Sequence, residues 1–371
     1  MGKQYAFIKA DVDKRMQEVL NGAHFIQGRQ VKELENVLAD YVQVKHCISC
    51  ANGTDALQLA LMAWDIGTGD AVFVPDFTFF SSGEVVSAVG ASPVFVDVDI
   101  DTYNMSIQSL EGMVARIASE GKLKPKAIVA VDLFGQPAEY DAIRKIADQY
   151  NMYVLEDSAQ GFGSKIGNIR AGAFGDIATT SFFPAKPLGC YGDGGAIFTN
   201  NDEWAALMQS LKVHGKGDSK YDNIRIGMNS RLDTIQAAVL LAKFPIFRDM
   251  ELQESDKLAK FYMSKLQGYV KIPIVKENYF SSWAQYTIQL ENQESRDGLQ
   301  QFLKKNGIPT AVYYQKPMHQ QKAFKGNLYM DDDYRNTIKL SKTVLSLPFH
   351  PYMDMDDAEM IVTRIIEYME K

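Results

Sequence analysis

Between residues 46 and 199 the chain alternates short, almost wholly apolar runs with stretches of helical period. This alternation predicts strands over 71–74, 93–98, 127–132, 152–156, 178–183 and 196–199, with helices over 54–64, 82–89, 139–150 and 202–211. Strands apolar on both faces and separated by helices imply a mostly parallel sheet covered on both sides. Two helices precede it. One spans 12–20, with Gly22 as its stop. The other spans 31–41 and sets Val31, Leu34, Val37, Leu38 and Tyr41 on one face. A long helix over 232–247 follows the sheet. Beyond it the pattern changes to a strand over 284–290, a helix over 296–305, a strand over 310–314 and a helix over 358–369. The expected architecture is α/β: a large domain over 1–247 and a smaller C-terminal α+β domain over 248–371.

Ligands of parallel sheets collect beyond the carboxyl ends of the strands. Asp157, Ser181 and Lys186 fall there. Composition narrows the ligand little. A chain of 371 residues, 46% hydrophobic and 23% charged, is ordinary for a globular protein, and a net charge of −7 argues against non-specific nucleic-acid binding. The first residues lack the apolar region of a signal peptide, and no run reaches membrane-spanning length, so a cytoplasmic protein is expected. Ala6 breaks the pattern that would make Gly2 a myristoylation site. Cys47 and Cys50 have the spacing of a redox pair or half a zinc site. No second pair completes a zinc site, and residues three apart on a strand face opposite sides, so the cysteines read as structural and no metal is expected.

The chemistry concentrates in Ser181-Phe-Phe-Pro-Ala-Lys186-Pro-Leu-Gly-Cys-Tyr-Gly-Asp-Gly-Gly195. A lysine between a strand end and a glycine-rich turn can be partly desolvated, which lowers its pKa and frees an amine nucleophile. Such an amine forms a Schiff base with an aldehyde cofactor, which points to pyridoxal 5′-phosphate. That cofactor needs an acid against its ring nitrogen, a phosphate cradle and a stacking ring. Asp157 is the candidate acid. Ala51-Asn-Gly53-Thr54-Asp55, at a helix start, is the candidate cradle, with the hydroxyls of Thr54 and Ser181 added. Phe79 is the candidate ring, whereas Phe77 and Phe80 read as core. Each piece has a plainer reading: a loop lysine, a capping aspartate, an ordinary Asn-Gly-Thr-Asp N-cap. Gly161-Phe-Gly163 with Gly167 lacks the spacing of a dinucleotide fingerprint.

In order along nearly the whole chain, Ala51-Asn-Gly-Thr-Asp-Ala-Leu57, Pro75-Asp-Phe-Thr-Phe79, Asp132-Leu-Phe-Gly-Gln-Pro137, Glu156-Asp-Ser-Ala-Gln160, Ser181–Lys186, Gly192-Asp-Gly-Gly195, Gly227–Gln236 and Pro317-Met-His319 resemble the DegT/DnrJ/EryC1/StrS family of sugar aminotransferases. The resemblance implies a fold type I pyridoxal phosphate enzyme, a homodimer with active sites at the subunit interface. Lys186 matches its Schiff-base lysine, Asp157 the ring-nitrogen partner and Gln160 the residue beside the cofactor's 3′-oxygen. Gly53, Thr54 and Ser181 match phosphate ligands, and Asn229 matches the asparagine that reaches the phosphate from the neighbouring subunit. The segments 182–200 and 229–233 are most similar to the branch that aminates C3 of a UDP-linked 2-acetamido-3-oxo-glucuronic acid for surface polysaccharide and O-antigen sugars. There Arg231 would grip a carboxylate, of the sugar or of the amino donor. Tyr313, Tyr314 and His319 match a late, substrate-facing segment, with the two tyrosines facing substrate from the partner subunit. Tyr313 stands where close relatives often carry histidine. The implied reaction takes its amine from L-glutamate, leaving pyridoxamine phosphate between two half-reactions. Rival readings are a dTDP-3-keto or 4-keto-6-deoxy sugar as acceptor, a sugar dehydratase (which has histidine in place of the lysine), a regulator on the same fold, and a redox protein using Cys47 and Cys50.

Overall fold

The computed structural model describes residues 2–219, 221–324 and 331–371. In chain order the elements are α1 (Gly2–Gly22), α2 (Arg29–Val42), β1 (His46–Cys50), α3 (Gly53–Ala63), β2 (Asp70–Pro75), α4 (Ser81–Ala88), β3 (Ser92–Val96), α5 (Ile107–Glu120), β4 (Lys124–Val131), α6 (Tyr140–Tyr150) and β5 (Tyr153–Asp157). They continue with β6 (Lys165–Ile166), β7 (Ile169–Arg170), β8 (Ile177–Ser181), β9 (Gly195–Thr199), α7 (Asp202–Leu211), α8 (Thr234–Ile246) and α9 (Leu252–Leu266). The last are β10 (Tyr279–Phe280), β11 (Tyr286–Gln289), α10 (Gln293–Lys305), α11 (Arg335–Thr343), β12 (Val344–Leu347) and α12 (Met355–Met369).

Seven strands form one sheet in the order β1-β9-β8-β5-β4-β2-β3, and only β9 runs against the rest. The α/β reading and the mostly parallel mixed sheet are thus observed. The sheet separates two cores. Ile48, Cys50, Ile177 and Ile197 pack on the side of α3 and α7, while Cys47, Ala178, Ala196 and Phe198 pack on the side of α2 and α8. The alternation follows from the two-residue period of a strand. Cys47 and Cys50 therefore lie on opposite faces, both buried, and burial raises both thiols, Cys50 to about 12. A thiol reagent added to the native protein is expected to leave Cys47, Cys50 and Cys190 unmodified until the chain unfolds. Prompt modification of the first two would restore the redox reading.

A third core joins α9, α10 and α12 to the antiparallel pair β11–β12. The chain passes into it without a break. Pro245 is accommodated near the end of α8, a π-helical turn over Phe247–Glu251 follows, and α9 continues directly. Phe247 and Leu252 still pack with α8, whereas Leu258 packs with the third core. Met318, Phe324, Tyr334 and Leu340 return to the core of the seven-stranded sheet. The strand expected over 310–314 does not form. Ala311 makes one bridge to Ser346, and then Tyr314 is drawn off the sheet by contacts described below. Among the described residues no helix is long and apolar enough to cross a membrane.

Candidate active site

Neighbouring parallel strands end side by side at Asp157 and near Ser181, in the register Asp157↔Thr179. Asp157 is 5% exposed. Its Oδ1 accepts the Ala159 N–H at 3.2 Å, and its Oδ2 accepts the Ser82 hydroxyl at 2.9 Å. Thr78 Oγ1 lies 3.2 Å from that hydroxyl. Burial raises the pKa of Asp157, while these donors and the facing Lys186 oppose the rise.

Lys186 stands on a tight turn after β8. Its own N–H donates to Phe183 O and the Cys190 N–H to Phe182 O, both at 2.8 Å. The side chain is half-buried. Desolvation lowers the amine below 10.5, and the Asp157 carboxylate works the other way. An amine in this setting is less protonated near neutrality than a surface lysine, as a nucleophile requires.

The cradle follows from the start of α3. Asn52 caps the helix, its Oδ1 accepting the Asp55 N–H at 2.8 Å, and Asn52 O takes the Ala56 N–H. The first N–H groups of a helix have no partner within it, so those of Gly53 and Thr54 remain for a ligand. Glycine is required here by close approach. A Cβ on Gly53 would lie 2.8 Å from the Ser181 Cβ, and one on Gly195 would lie 2.5 Å from the Asn52 carbonyl. These contacts bring Gly53, Thr54 and the Ser181 hydroxyl onto one floor beside Asp157.

Phe79, at 54% exposure, is the most open aromatic ring of the 76–80 segment. It lies 6.4 Å from Tyr314, whose ring also meets Phe77 edge-on at 5.9 Å. Gln160 is buried. Its Nε2 donates to the Tyr314 hydroxyl at 3.0 Å, and its Oε1 accepts the Phe134 N–H at 2.7 Å. Tyr314 thus packs against Gln160, Phe77 and Phe79 of its own chain. Tyr313, 38% exposed, packs edge-on against it.

His319 is not available to a substrate as expected. Its side chain is 5% exposed, its Nδ1 lies 2.6 Å from Asp76 Oδ2, and its ring stacks on Tyr334 at 4.3 Å. Its N–H also donates to Asp76 Oδ1 at 2.8 Å. The reason is Asp76, a fully buried carboxylate that must be paired. The pair ties the base of the Phe79 segment to the 317–320 turn. Replacing His319 by alanine keeps the backbone N–H on Asp76 Oδ1 but leaves Oδ2 buried without the imidazole, with an expected loss of about 1–3 kcal/mol in urea unfolding. Unchanged stability with a raised sugar KM would return His319 to the substrate.

Arg231 opens on a separate cavity of about 960 Å³, bordered by His214, Lys216, Tyr221 and Arg225 but by neither Lys186 nor Asn229. Arg231 donates to Asn229 Oδ1 at 2.5 Å, and its Nε is buried without a partner. Ser230, between them, accepts the Ala51 N–H at 3.0 Å, which joins this corner to the cradle.

Three functional residues escape the sequence reading. Ser82 and Thr78 hold Asp157, and their only signal is a hydroxyl pair flanking Phe79-Phe80. Glu156 turns away from Asp157 to accept N–H groups of Gly172, Phe174 and Gly175. Burial pushes its carboxyl up to about 7 against those donors.

Taken as a donor set, the site fits pyridoxal phosphate. Lys186 offers an amine for its aldehyde, Asp157 a carboxylate for its ring nitrogen, and the Gly53–Thr54–Ser181 floor N–H and hydroxyl groups for its phosphate. The sequence profile of the DegT/DnrJ/EryC1/StrS aminotransferase family matches residues 7–366. A UDP-2-acetamido-2-deoxy-3-oxo-D-glucuronate aminotransferase of Pseudomonas aeruginosa is 44% identical over 361 residues, 96% of each chain. The crystal structure of a DegT DnrJ EryC1 StrS aminotransferase from Brucella abortus superposes with a TM-score of 0.97 at 48% identity, covering 100% of this chain and 98% of that one. NtdA from Bacillus subtilis, solved with bound cofactor PMP, superposes with a TM-score of 0.89 at 28% identity, covering 98% of this chain and 82% of that one. The chain belongs to the DegT/DnrJ/EryC1/StrS aminotransferase family and is a pyridoxal phosphate-dependent nucleotide-sugar aminotransferase.

Proposed function

We propose that the protein moves an amino group from L-glutamate to C3 of UDP-linked 2-acetamido-2-deoxy-3-oxo-glucuronic acid, in the cytoplasm, for surface polysaccharide such as O-antigen. The observation that carries this reading is the register that ends β5 at Asp157 beside β8, with Lys186 on the turn that follows β8 and each group acting electrostatically on the other. The bound cofactor supplies the electron sink for the carbanion left when the α-proton departs. Lys186, as a free amine, takes that proton as general base and returns it elsewhere on the reacting system. Asp157 would keep a proton on the ring nitrogen, with Ser82 and the Ala159 N–H favouring its carboxylate form against burial. Gln160 and Tyr314 close one side and Phe79 covers a face. Both substrates use the site in turn, so ping-pong kinetics follow.

The choice of sugar rests on the Pseudomonas relative and on Arg231. A guanidinium with an unused buried donor, beside Lys216 and Arg225, suits a sugar that carries a carboxylate and a diphosphate. The same region exposes Tyr221, Ile224 and Ile226, the last at 89%. Apolar residues this open favour cover by a second copy of the chain, so the acting unit is a homodimer with shared sites. The test is amination of UDP- and dTDP-ketosugars with L-glutamate, followed by 2-oxoglutarate release. The UDP-3-oxo-glucuronate is expected to be preferred, and preference for a dTDP-keto-6-deoxy sugar would replace this assignment. Arg231→Lys is expected to raise KM for the sugar nucleotide about 10–100-fold, as loss of a bidentate charged contact of roughly 1.5–3 kcal/mol implies, with KM for L-glutamate unmoved. A rise for glutamate alone would assign Arg231 to the donor.

A further inference from the structure

Lys243 has no part in the mechanism above, yet it is 2% exposed and lies within the apolar helix α8. A buried ammonium is costly unless it is paired. Among the described residues, no acidic group comes within salt-bridge distance of it. Its amine donates to the carbonyl of Gly189 and lies 5.2 Å from the centre of the Tyr191 ring. Desolvation lowers its pKa, with Glu251 opposing. Gly189 closes the turn that carries Lys186. Two turns earlier on the same face of α8, Gln236 Oε1 accepts the Tyr191 N–H at 2.9 Å. The helix therefore grips the turn at two points, beside Gly189 and at Tyr191. Lys243 and Lys186 also border one cavity of about 490 Å³ with Lys3, Glu251, Trp283 and His350.

We propose that Lys243 is a positioning residue: through its bond to the Gly189 carbonyl it fixes the Lys186 turn and so aims the Lys186 amine into the cofactor pocket. The proposal rests on the reading of Lys186 as the reacting amine. That amine's protonation is set by its burial and by Asp157 on β5, while Glu251 ahead of α9, Lys3 on α1 and His350 are the other titratable groups bordering the shared cavity. Releasing the turn alters burial of the amine and leaves those charges in place.

The test uses the full chain in two arms. In cofactor-free protein, the rate of reductive methylation of Lys186 is followed against pH by peptide mass spectrometry. For Lys243→Met the midpoint is expected to move up towards that of an ordinary lysine, while Lys243→Arg, which keeps a donor, restores it in part. In the loaded enzyme, Lys243→Met is expected to lower kcat about 10–100-fold, the scale of a small misplacement of a reacting group, with KM for L-glutamate unmoved. A wild-type midpoint and wild-type kcat in Lys243→Met would overturn the proposal. Should that variant not fold, Lys243→Gln, too short to reach the carbonyl, is read in its place by the same criteria. If wild-type protein fails to load cofactor while the midpoint still moves, the function assignment fails and the positioning role stands.

Discussion

Lys186→Ala protein is expected to lose transamination by at least about 10³-fold, within the range contributed by a positioned acid–base group, while folding normally. It should also lose the visible absorption that pyridoxal phosphate gives in the wild type. The variant removes the amine that acts on Asp157, whose carboxyl then loses one influence opposing burial, and it leaves the hydrogen bonds of the pocket in place. The turn is held by the backbone bonds of Lys186 and Cys190. In the wild type, burial lowers the pKa of this amine. Capture of an aldehyde at Lys186 should therefore rise with pH through a midpoint below 10.5, because the unprotonated form is the nucleophile. A midpoint at or above that value would mean that the Asp157 carboxylate outweighs desolvation.

Asp157→Asn carries the second large effect. The amide keeps the volume and its single oxygen accepts one of the two donors, the Ala159 N–H, while its NH2 faces Ser82, whose hydroxyl can turn to accept; it cannot hold a proton on the ring nitrogen. A fall in kcat of about 10²–10³-fold is expected, comparable with removing one preorganised electrostatic contact. Cofactor loading should persist, since the Gly53–Thr54–Ser181 floor is untouched. Single-turnover rates with L-glutamate would read the loss directly. A variant of near wild-type rate would place the ring nitrogen elsewhere.

The strands of the large sheet are legible because both faces are buried, so each reads as an apolar run between turns. The motif ends that carry Asp157, Ser181 and Lys186 follow from that placement. Other elements carry weaker marks. Helix α5 has Gly112 at its middle, and β12 follows α11 at Thr343–Val344 with no glycine or proline between them. The 310–314 segment reads as a strand by its β-branched and aromatic residues, yet the bond from Gln160 to Tyr314 overrides that propensity. His319 was legible as part of a motif but not as the partner of Asp76, because the two are joined only by tertiary packing. Lys243 shows the same limit. A lysine between Ala242 and Phe244 breaks an apolar helix face visibly, but its purpose depends on a carbonyl 54 positions away.

The proposed reaction requires one site to accept an amino group from L-glutamate before any sugar arrives. The direct measurement is a single turnover: protein loaded with pyridoxal phosphate is mixed with L-glutamate alone, and visible absorption and 2-oxoglutarate are followed together. The predicted result is loss of the visible band with about one 2-oxoglutarate released per active site, as a ping-pong enzyme requires, and neither change in Lys186→Ala. A band that persists unchanged in the presence of L-glutamate, or no band at all, would contradict it.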